Sequence, residues 1–372
     1  MKTTFKKGDL LPVLSKVQGL TGRRTNLAIT TNILIKTDKK GLSISATGLE
    51  TGFEGFYPAD IEKEGIIAIN ARKFYEIVKD FPSEDVFLNE VENHWIEIGN
   101  QKVEYHIVGL SPDDFPEIPK IEDVEFFEID SMSLVKMIER AVIVSGTTDD
   151  KRAHIMGVYA ERIDEKKNKR FRFVSTDGSR LSKVDTVFDK DASLPSGESV
   201  MIPKKGLIEV GKFLDDEGTV KIGFKENNFI VQKDSETLII LLLEGDFPEY
   251  GDIIVKKGGN SITFDRQLFL MMLKRMSILS SEDYKGVIFN FEKNQLVITS
   301  TNPDIGESKE DMDIEYSGDA ITVMFNPKFF IETLSVIDDD NVIVNIVDEE
   351  KPCLIEGEKD KTYLSVIMPM RI

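Results

Sequence analysis

The sequence predicts an α+β protein made of three similar domains, each with two helices packed on antiparallel sheets. Two observations carry this prediction. An apolar strand broken by a turn and a proline recurs at residues 110–119 (Leu-Ser-Pro-Asp-Asp-Phe-Pro-Glu-Ile-Pro) and at 243–253 (Leu-Glu-Gly-Asp-Phe-Pro-Glu-Tyr-Gly-Asp-Ile), and in degenerate form at 367–372 (Ile-Met-Pro-Met-Arg-Ile). Before each ending the same order of helix, strands, helix, strands is legible. The 372 residues suffice for three domains, each large enough to bury a core. The expected domains are 1–125, 126–254 and 255–372, the last boundary marked by Lys256-Lys257-Gly258-Gly259-Asn260.

Each third is expected to start with a helix. Residues 7–20 put Leu10, Leu11, Leu14, Val17 and Gln18 at helical spacing, with Asp9 near the start. Residues 130–145 do so with Leu134, Val135, Ile138, Val142 and Ile143, capped by Asp130 or Ser131. Residues 265–279 offer Leu268, Leu270, Met271, Leu273 and Ile278, capped by Asp265. Paired strands follow at 32–37 and 42–46, at 157–162 and 171–175, and at 287–291 and 296–300. The second strand ends each time in a small polar turn: Thr47-Gly48, Thr176-Asp177-Gly178 and Thr301-Asn302-Pro303. These turns lie about 130 and about 125 residues apart, so the repeating unit is a whole domain rather than a short solenoid repeat. A second helix is expected in each third, at 71–81, 204–214 and 327–337, with further strands after it.

Composition excludes several classes. Hydrophobic content of 41% and charged content of 30% suit a folded globular chain. The single cysteine, Cys353, cannot form an intramolecular disulfide and fits a reducing compartment. No run approaches a membrane span, and Met1-Lys2-Thr3-Thr4-Phe5 lacks a signal-peptide core, so the expected location is cytoplasmic. No phosphate-binding or dinucleotide-binding glycine motif and no nucleophile elbow is present. His94, His106 and His154 have no metal-ligand spacing, and no cofactor is expected. Carboxylate runs at Asp149-Asp150, Asp215-Asp216-Glu217 and Asp338-Asp339-Asp340 could in principle hold Mg²⁺, though solvated turns account for them as well.

The net charge of −19 argues against nucleic acid only if the charge is spread evenly. It is not. The helical segments lean positive: Lys6, Lys7, Lys16, Arg23 and Arg24; Arg72, Lys73 and Lys79; Lys136 and Arg140; Lys204, Lys205 and Lys212; Arg266, Lys274 and Arg275; and Lys328. If the helices share one face, that face attracts a phosphate backbone while the strands and loops hold the acidity. Solubilising lysines on amphipathic helices explain the same pattern equally well.

Several stretches in register over the whole chain resemble the bacterial DNA polymerase III beta subunit family, the sliding clamps. They are Thr176-Asp177-Gly178-Ser179-Arg180-Leu181, Pro203-Lys204-Lys205-Gly206, Phe247-Pro248-Glu249-Tyr250, Asn290 to Asn302, Tyr316-Ser317-Gly318, Phe325-Asn326 and Met368-Pro369-Met370-Arg371. The resemblance implies three clamp domains per chain, a head-to-tail homodimer closed as a ring around double-stranded DNA, and a processivity factor without chemistry of its own. DNA contacts would be sequence-independent, made by Arg24, Arg72, Lys136, Arg140, Lys204, Lys205, Arg266, Lys274 and Lys328. Asp149 stands where relatives also reach DNA. The ring joint would use Lys73, Tyr105 and Ile107 on one side and Ile278 and Leu279 on the other, with Lys73 and Lys102 opposite the acidic run at 307–311. Glu104 stands there where relatives tend to carry arginine.

The same resemblance implies a groove that captures short linear motifs of the replicative DNA polymerase, the clamp loader and repair proteins. Its residues would be Ile155, Thr176, Gly178, Arg180, Leu181, Pro248, Asn326, Phe329, Val366, Met368, Pro369, Met370 and Arg371. Ser179 stands where a histidine is common, and Gly251-Asp252 where arginines often follow the tyrosine. Two other classes stay open on residue chemistry alone: a Mg²⁺-dependent phosphoryl-transfer enzyme using the acidic runs, and a monomeric β-rich peptide-binding scaffold.

Overall fold

The structure is a computed structural model that describes residues 1–21, 28–48, 50–100, 102–119, 122–144, 152–165, 168–187, 199–215, 217–256, 258–280 and 285–371. The chain forms two compact units. The first takes in Met1–Val135 and Lys205–Leu242; the second runs from Lys136, includes Ser199–Lys204, and holds Leu243–Ile372.

In the first unit the strands Asp60–Lys63, Lys2–Lys6, Asp85–Glu90, Trp95–Gly99 and Glu104–Val108 form, in that order, a five-stranded antiparallel sheet. An eight-stranded sheet holds Phe126–Asp130, Thr219–Lys225, Asn228–Lys233 and Glu236–Leu241, then Thr51–Tyr57, Gly41–Thr47, Asn32–Asp38 and Gly65–Asn70. Its halves come from the first and second thirds of the chain, and they meet where Leu238 pairs with Phe53. The second unit repeats the plan. Ser199–Pro203, Gly157–Glu165, Asn168–Thr176 and Arg180–Val187 continue into Tyr363–Ile367, Cys353–Gly357, Asn341–Ile346 and Asn260–Asp265, and the halves meet where Leu181 pairs with Val366. A four-stranded sheet of Gly306–Asp313, Gln295–Asn302, Val287–Glu292 and Ile321–Phe325 completes it. Sharing a sheet between successive thirds leaves fewer free edges, which removes sites of adventitious pairing.

Among the described residues the helices are α1 (Lys7–Leu20), α2 (Ala71–Lys79), α3 (Ser131–Val142), α4 (Ala153–Met156), α5 (Lys204–Phe213), α6 (Arg266–Met276) and α7 (Pro327–Ser335). Six of them fall within the segments that periodicity predicts; α4 is new. A strand precedes the first helix of each third, at Lys2–Lys6, Phe126–Asp130 and Asn260–Asp265, where the periodicity reading starts with the helix itself. Those strands are short and alternate only over four or five residues, too few to stand out beside the longer helical signal.

The helix faces differ in detail from expectation. In α1 the buried stripe is Leu10, Val13, Leu14 and Val17, with Leu11 and Gln18 only half-buried. In α3 Met137 and Ala141 join Leu134 and Ile138 in the core, while Val135, Val142 and Ile143 are half-buried. In α6 the core takes Phe269, Leu270, Met272, Leu273 and Met276, and leaves Leu268 and Met271 exposed. That helix is apolar at six consecutive positions, so its pattern does not choose a face; the sheet beneath it does. The expected caps are made: Asp130 Oδ2 accepts from Ser133 N at 2.9 Å and Asp265 Oδ1 from Leu268 N at 2.8 Å. No described helix is long and apolar enough to cross a membrane.

Candidate functional site

Thr176 ends a strand, and its side chain builds the turn that follows. Its Oγ1 donates to Arg180 O at 2.8 Å and accepts from Gly178 N at 3.1 Å. Asp177 Oδ1 accepts from Ser179 N at 3.0 Å and Arg180 N at 3.1 Å. Gly178 has φ of +89°, and a methyl group added there would meet nothing within 4 Å, so the conformation rather than space demands glycine. The turn returns the chain as Arg180–Val187, whose first five residues pair with Tyr363–Ile367. The tail beyond that strand is fixed by backbone bonds, Met368 N to Ser179 O at 2.9 Å and Met370 N to Met324 O at 2.8 Å.

Leu181 and Val366, paired across those strands, pack with Val174, Leu354 and Leu364 in a buried apolar cluster. Tyr159, Phe247, Tyr250 and Ile254 lie against it half-buried. Tyr159 stacks on Phe247 with ring centroids 4.9 Å apart, which orients the loop carrying the exposed Pro248. Ile155 is 1% exposed, whereas Met368 is 40% exposed, with Pro369 and Met370 half-buried beside it.

Arg180 is buried beneath this surface. Its Nε donates to Asp177 Oδ2 at 2.9 Å, its Nη1 to Glu332 Oε2 and its Nη2 to Ile143 O at 3.0 Å, and the guanidinium lies 4.3 Å over the Phe329 ring. Asn326 caps α7 by accepting from Lys328 N at 3.0 Å, which fixes the helix that carries Phe329 and Glu332. The sequence-predicted groove residues thus gather within the second unit on one framework. Sequence reading did not single out Tyr159 or Glu332. Glu332 had a signal in its i,i+4 spacing from Lys328; Tyr159 had none.

The predicted DNA-facing cations divide by burial. Arg72, Lys136, Lys205, Lys274 and Lys328 are exposed. Two expectations are corrected. The Arg140 side chain is 7% exposed and bound by Asp360 Oδ2 at 2.9 Å and Val336 O at 3.2 Å, so it is a tie within the fold. Lys204 is also buried, its Nζ donating to Ile155 O at 2.7 Å. Both sit at helix positions facing inward, and a count of helix charges cannot see which way a cation points. Arg266 is half-buried and donates to Asp339 O and Leu334 O. Arg24 and Asp149 lie outside the described residues.

At the predicted joint, Glu104–Val108 is a free edge of its sheet, with Tyr105 exposed and Ile107 half-buried. Lys73 pairs with Glu76 at 2.8 Å on its own helix, and Glu104 pairs with His106 at 2.7 Å. Gly306–Asp313 is a free edge too, Glu310 taken up by Arg275. Ile278, in the turn Ser277–Leu279, is 73% exposed, and that turn is tied down by Asn302 Nδ2 to Leu279 O at 2.9 Å.

Two members of the acidic run at 338–340 are occupied in structural roles, while Asp149, Asp150 and Asp216 lie outside the described residues. Asp338 accepts from Lys136, and Asp339 Oδ2 from Lys359 N and Asp360 N. Among the described residues no group of three His, Cys, Asp or Glu side chains is arranged to hold a metal ion.

Comparison with known proteins covers nearly the whole chain. Family models described as the DNA polymerase III beta subunit match in succession: the N-terminal domain at residues 1–119, the central domain at 128–249 and the C-terminal domain at 252–371. The beta sliding clamp of Vibrio cholerae is 28% identical over 374 residues, covering 100% of each chain. That of Chlamydia pneumoniae is 27% identical over 372 residues, covering 100% of this chain and 99% of its own. The crystal structure of the DNA polymerase sliding clamp from Bacillus subtilis superposes with a TM-score of 0.93 at 26% identity, covering 100% of this chain and 99% of that one.

Proposed function

Because this chain belongs to the DNA polymerase III beta subunit family, the sliding clamps, we propose that the surface around Leu181, Pro248 and the tail at 366–371 is its partner-binding groove. The protein is a processivity factor: a non-catalytic subunit of DNA polymerase III that closes as a ring dimer around duplex DNA and tethers the polymerase and other proteins. Encirclement makes retention topological, so DNA contacts can be weak and sequence-blind. A tethered polymerase keeps a high effective concentration at the primer end.

The observation that carries the groove reading is the pairing of Arg180–Val187 with Tyr363–Ile367, which sets an apolar floor beside exposed Pro248 and Met368. Such a surface fits short peptides with apolar anchors, and methionine adapts to several of them. Of the helix cations, we assign DNA contact to the exposed ones, Arg72, Lys136, Lys205, Lys274 and Lys328. Tyr105, Ile107, Ile278 and Leu279 are our assignment for the ring joint, Lys73 its charged neighbour. The domains divide at 1–125, 126–254 and 255–372 in this reading, and the role in replication implies a cytoplasmic location.

The test uses a short fluorescein-labelled peptide carrying leucine and phenylalanine anchors. Pro248→Glu, or removal of residues 368–372, is expected to abolish its binding in fluorescence anisotropy while sedimentation still shows the dimer. Loss of the dimer with peptide binding retained would overturn the assignment.

A further inference from the structure

We propose that Lys204 is a positioning residue of the partner groove: its buried ammonium ties the backbone of α4 to that of the Thr176 turn and holds the groove floor in its binding geometry. The inference rests on the groove reading above. Lys204 begins α5, directly after the strand Ser199–Pro203, whose Pro203 pairs with Gly157 at the end of α4. From there Nζ donates to Ile155 O at 2.7 Å and to Thr176 O at 3.4 Å. Both acceptors belong to groove residues.

The two carbonyls belong to segments that this donor ties together. α4 has four residues and no side-chain cap at Arg152, and a single helical turn does not hold itself together. Ile155 O lies in that last turn, among the carbonyls that have no partner along the helix. Thr176 uses its own hydroxyl to build the turn, and its carbonyl takes the second bond from Lys204. One ammonium serves both segments, so α4 and the turn move together or not at all.

The arrangement has a cost that points to a purpose. Lys204 is 8% exposed and forms no ion pair among the described residues. A buried cation without a carboxylate partner is unfavourable, and surface duty does not require it. Burial pushes this ammonium down to about 8, with Asp177 raising it and Arg180 lowering it. Other charged or titratable groups on the surrounding segments include Arg152 and His154 at α4 and Lys205, Glu209 and Lys212 on α5. A seat that lowers the pKa favours the neutral amine, so raising the pH relieves the cost of burial rather than opening the tie, and the neutral amine still has N–H groups to donate.

The experiment measures binding of the same labelled peptide to the full-length dimer at about pH 7, alongside hydrogen exchange of the free protein. Lys204→Met is expected to bind about tenfold more weakly and to exchange faster at 153–157 and 176–181 while remaining a dimer. Lys204→Arg, which keeps a charged donor, is expected to restore binding and slow exchange at both segments. Lys204→Gln, a shorter neutral donor, is read in place of Lys204→Met if that variant fails to fold. Lys204→Met binding and exchanging like wild type overturns the proposal, and so does Lys204→Arg losing affinity as fully as Lys204→Met. A wild-type protein that ignores the peptide overturns the groove reading instead, and exchange at the two segments then decides whether Lys204 ties them.

Discussion

Asp185 shows how single charges are committed inside the second unit. Its carboxylate lies buried between Arg172 Nε at 2.6 Å and Lys183 Nζ at 3.0 Å. Burial alone would push its pKa up, but the bonds and charges of Arg172 and Lys183 win and hold it below the ordinary 3.8. The folded state therefore binds fewer protons than the unfolded chain as the pH falls through this range. The stabilisation is complete above pH 3.8 and lost below it. Asp185→Asn is expected to remove that part of the acid dependence, visible as a flatter plot of urea midpoint against pH. Arg140 is a second committed charge, shared by Asp360, Asp338 and Val336 O. Arg140→Met is expected to cost about 2 kcal/mol in urea unfolding, below the figure for a fully buried pair because Asp338 is solvated. An unchanged midpoint would return Arg140 to the set of free helix cations.

At the scale of elements, all six expected helices were legible, but the buried face of the one apolar at six consecutive positions was not. α1 starts and ends where its periodicity and its flanking residues predict. α6 shows the limit: periodicity fits two faces, and packing chose the one with Phe269 and Met276, leaving Leu268 and Met271 in solvent. Ile278, also expected on the inner face, stands exposed at 73% in the turn that follows. An exposed isoleucine held on a tied-down turn suits a protein contact better than solvent. Ile278→Asp is accordingly expected to shift the dimer toward monomer in analytical ultracentrifugation without lowering the melting temperature of the chain. The Asp265 cap on α6 gives a milder test, since Asp265→Ala should cost about 1 kcal/mol.

For the whole molecule, retention on DNA separates a ring from a sticky surface. Loaded onto a circular nicked plasmid, the protein is expected to stay through gel filtration in salt that screens phosphate contacts, and to leave once the plasmid is cut. Persistence on the cut plasmid with free ends would contradict encirclement. Alanine at Lys136, Lys205 and Lys274 together is expected to lessen the salt dependence of loading and leave peptide binding unchanged.

The sequence by itself determined the plan of three repeated α+β units, the helix boundaries to within a few residues, and the turn Thr176–Leu181. These follow from local rules: period, caps and turn chemistry are written in neighbouring residues. It also supplied the proposed groove residues, through a resemblance spread over the chain. What only the tertiary structure decided is which strands join across the thirds and which cations are spent inside. Leu181 meets Val366 from the far end of the chain, and nothing local encodes a pairing over that distance. Lys204 and Lys205 are neighbours of one kind in the sequence, yet one is buried on two carbonyls and the other faces solvent. A helix turns about 100° per residue, so adjacent lysines point apart, and the packing around them decides which becomes structure and which stays surface.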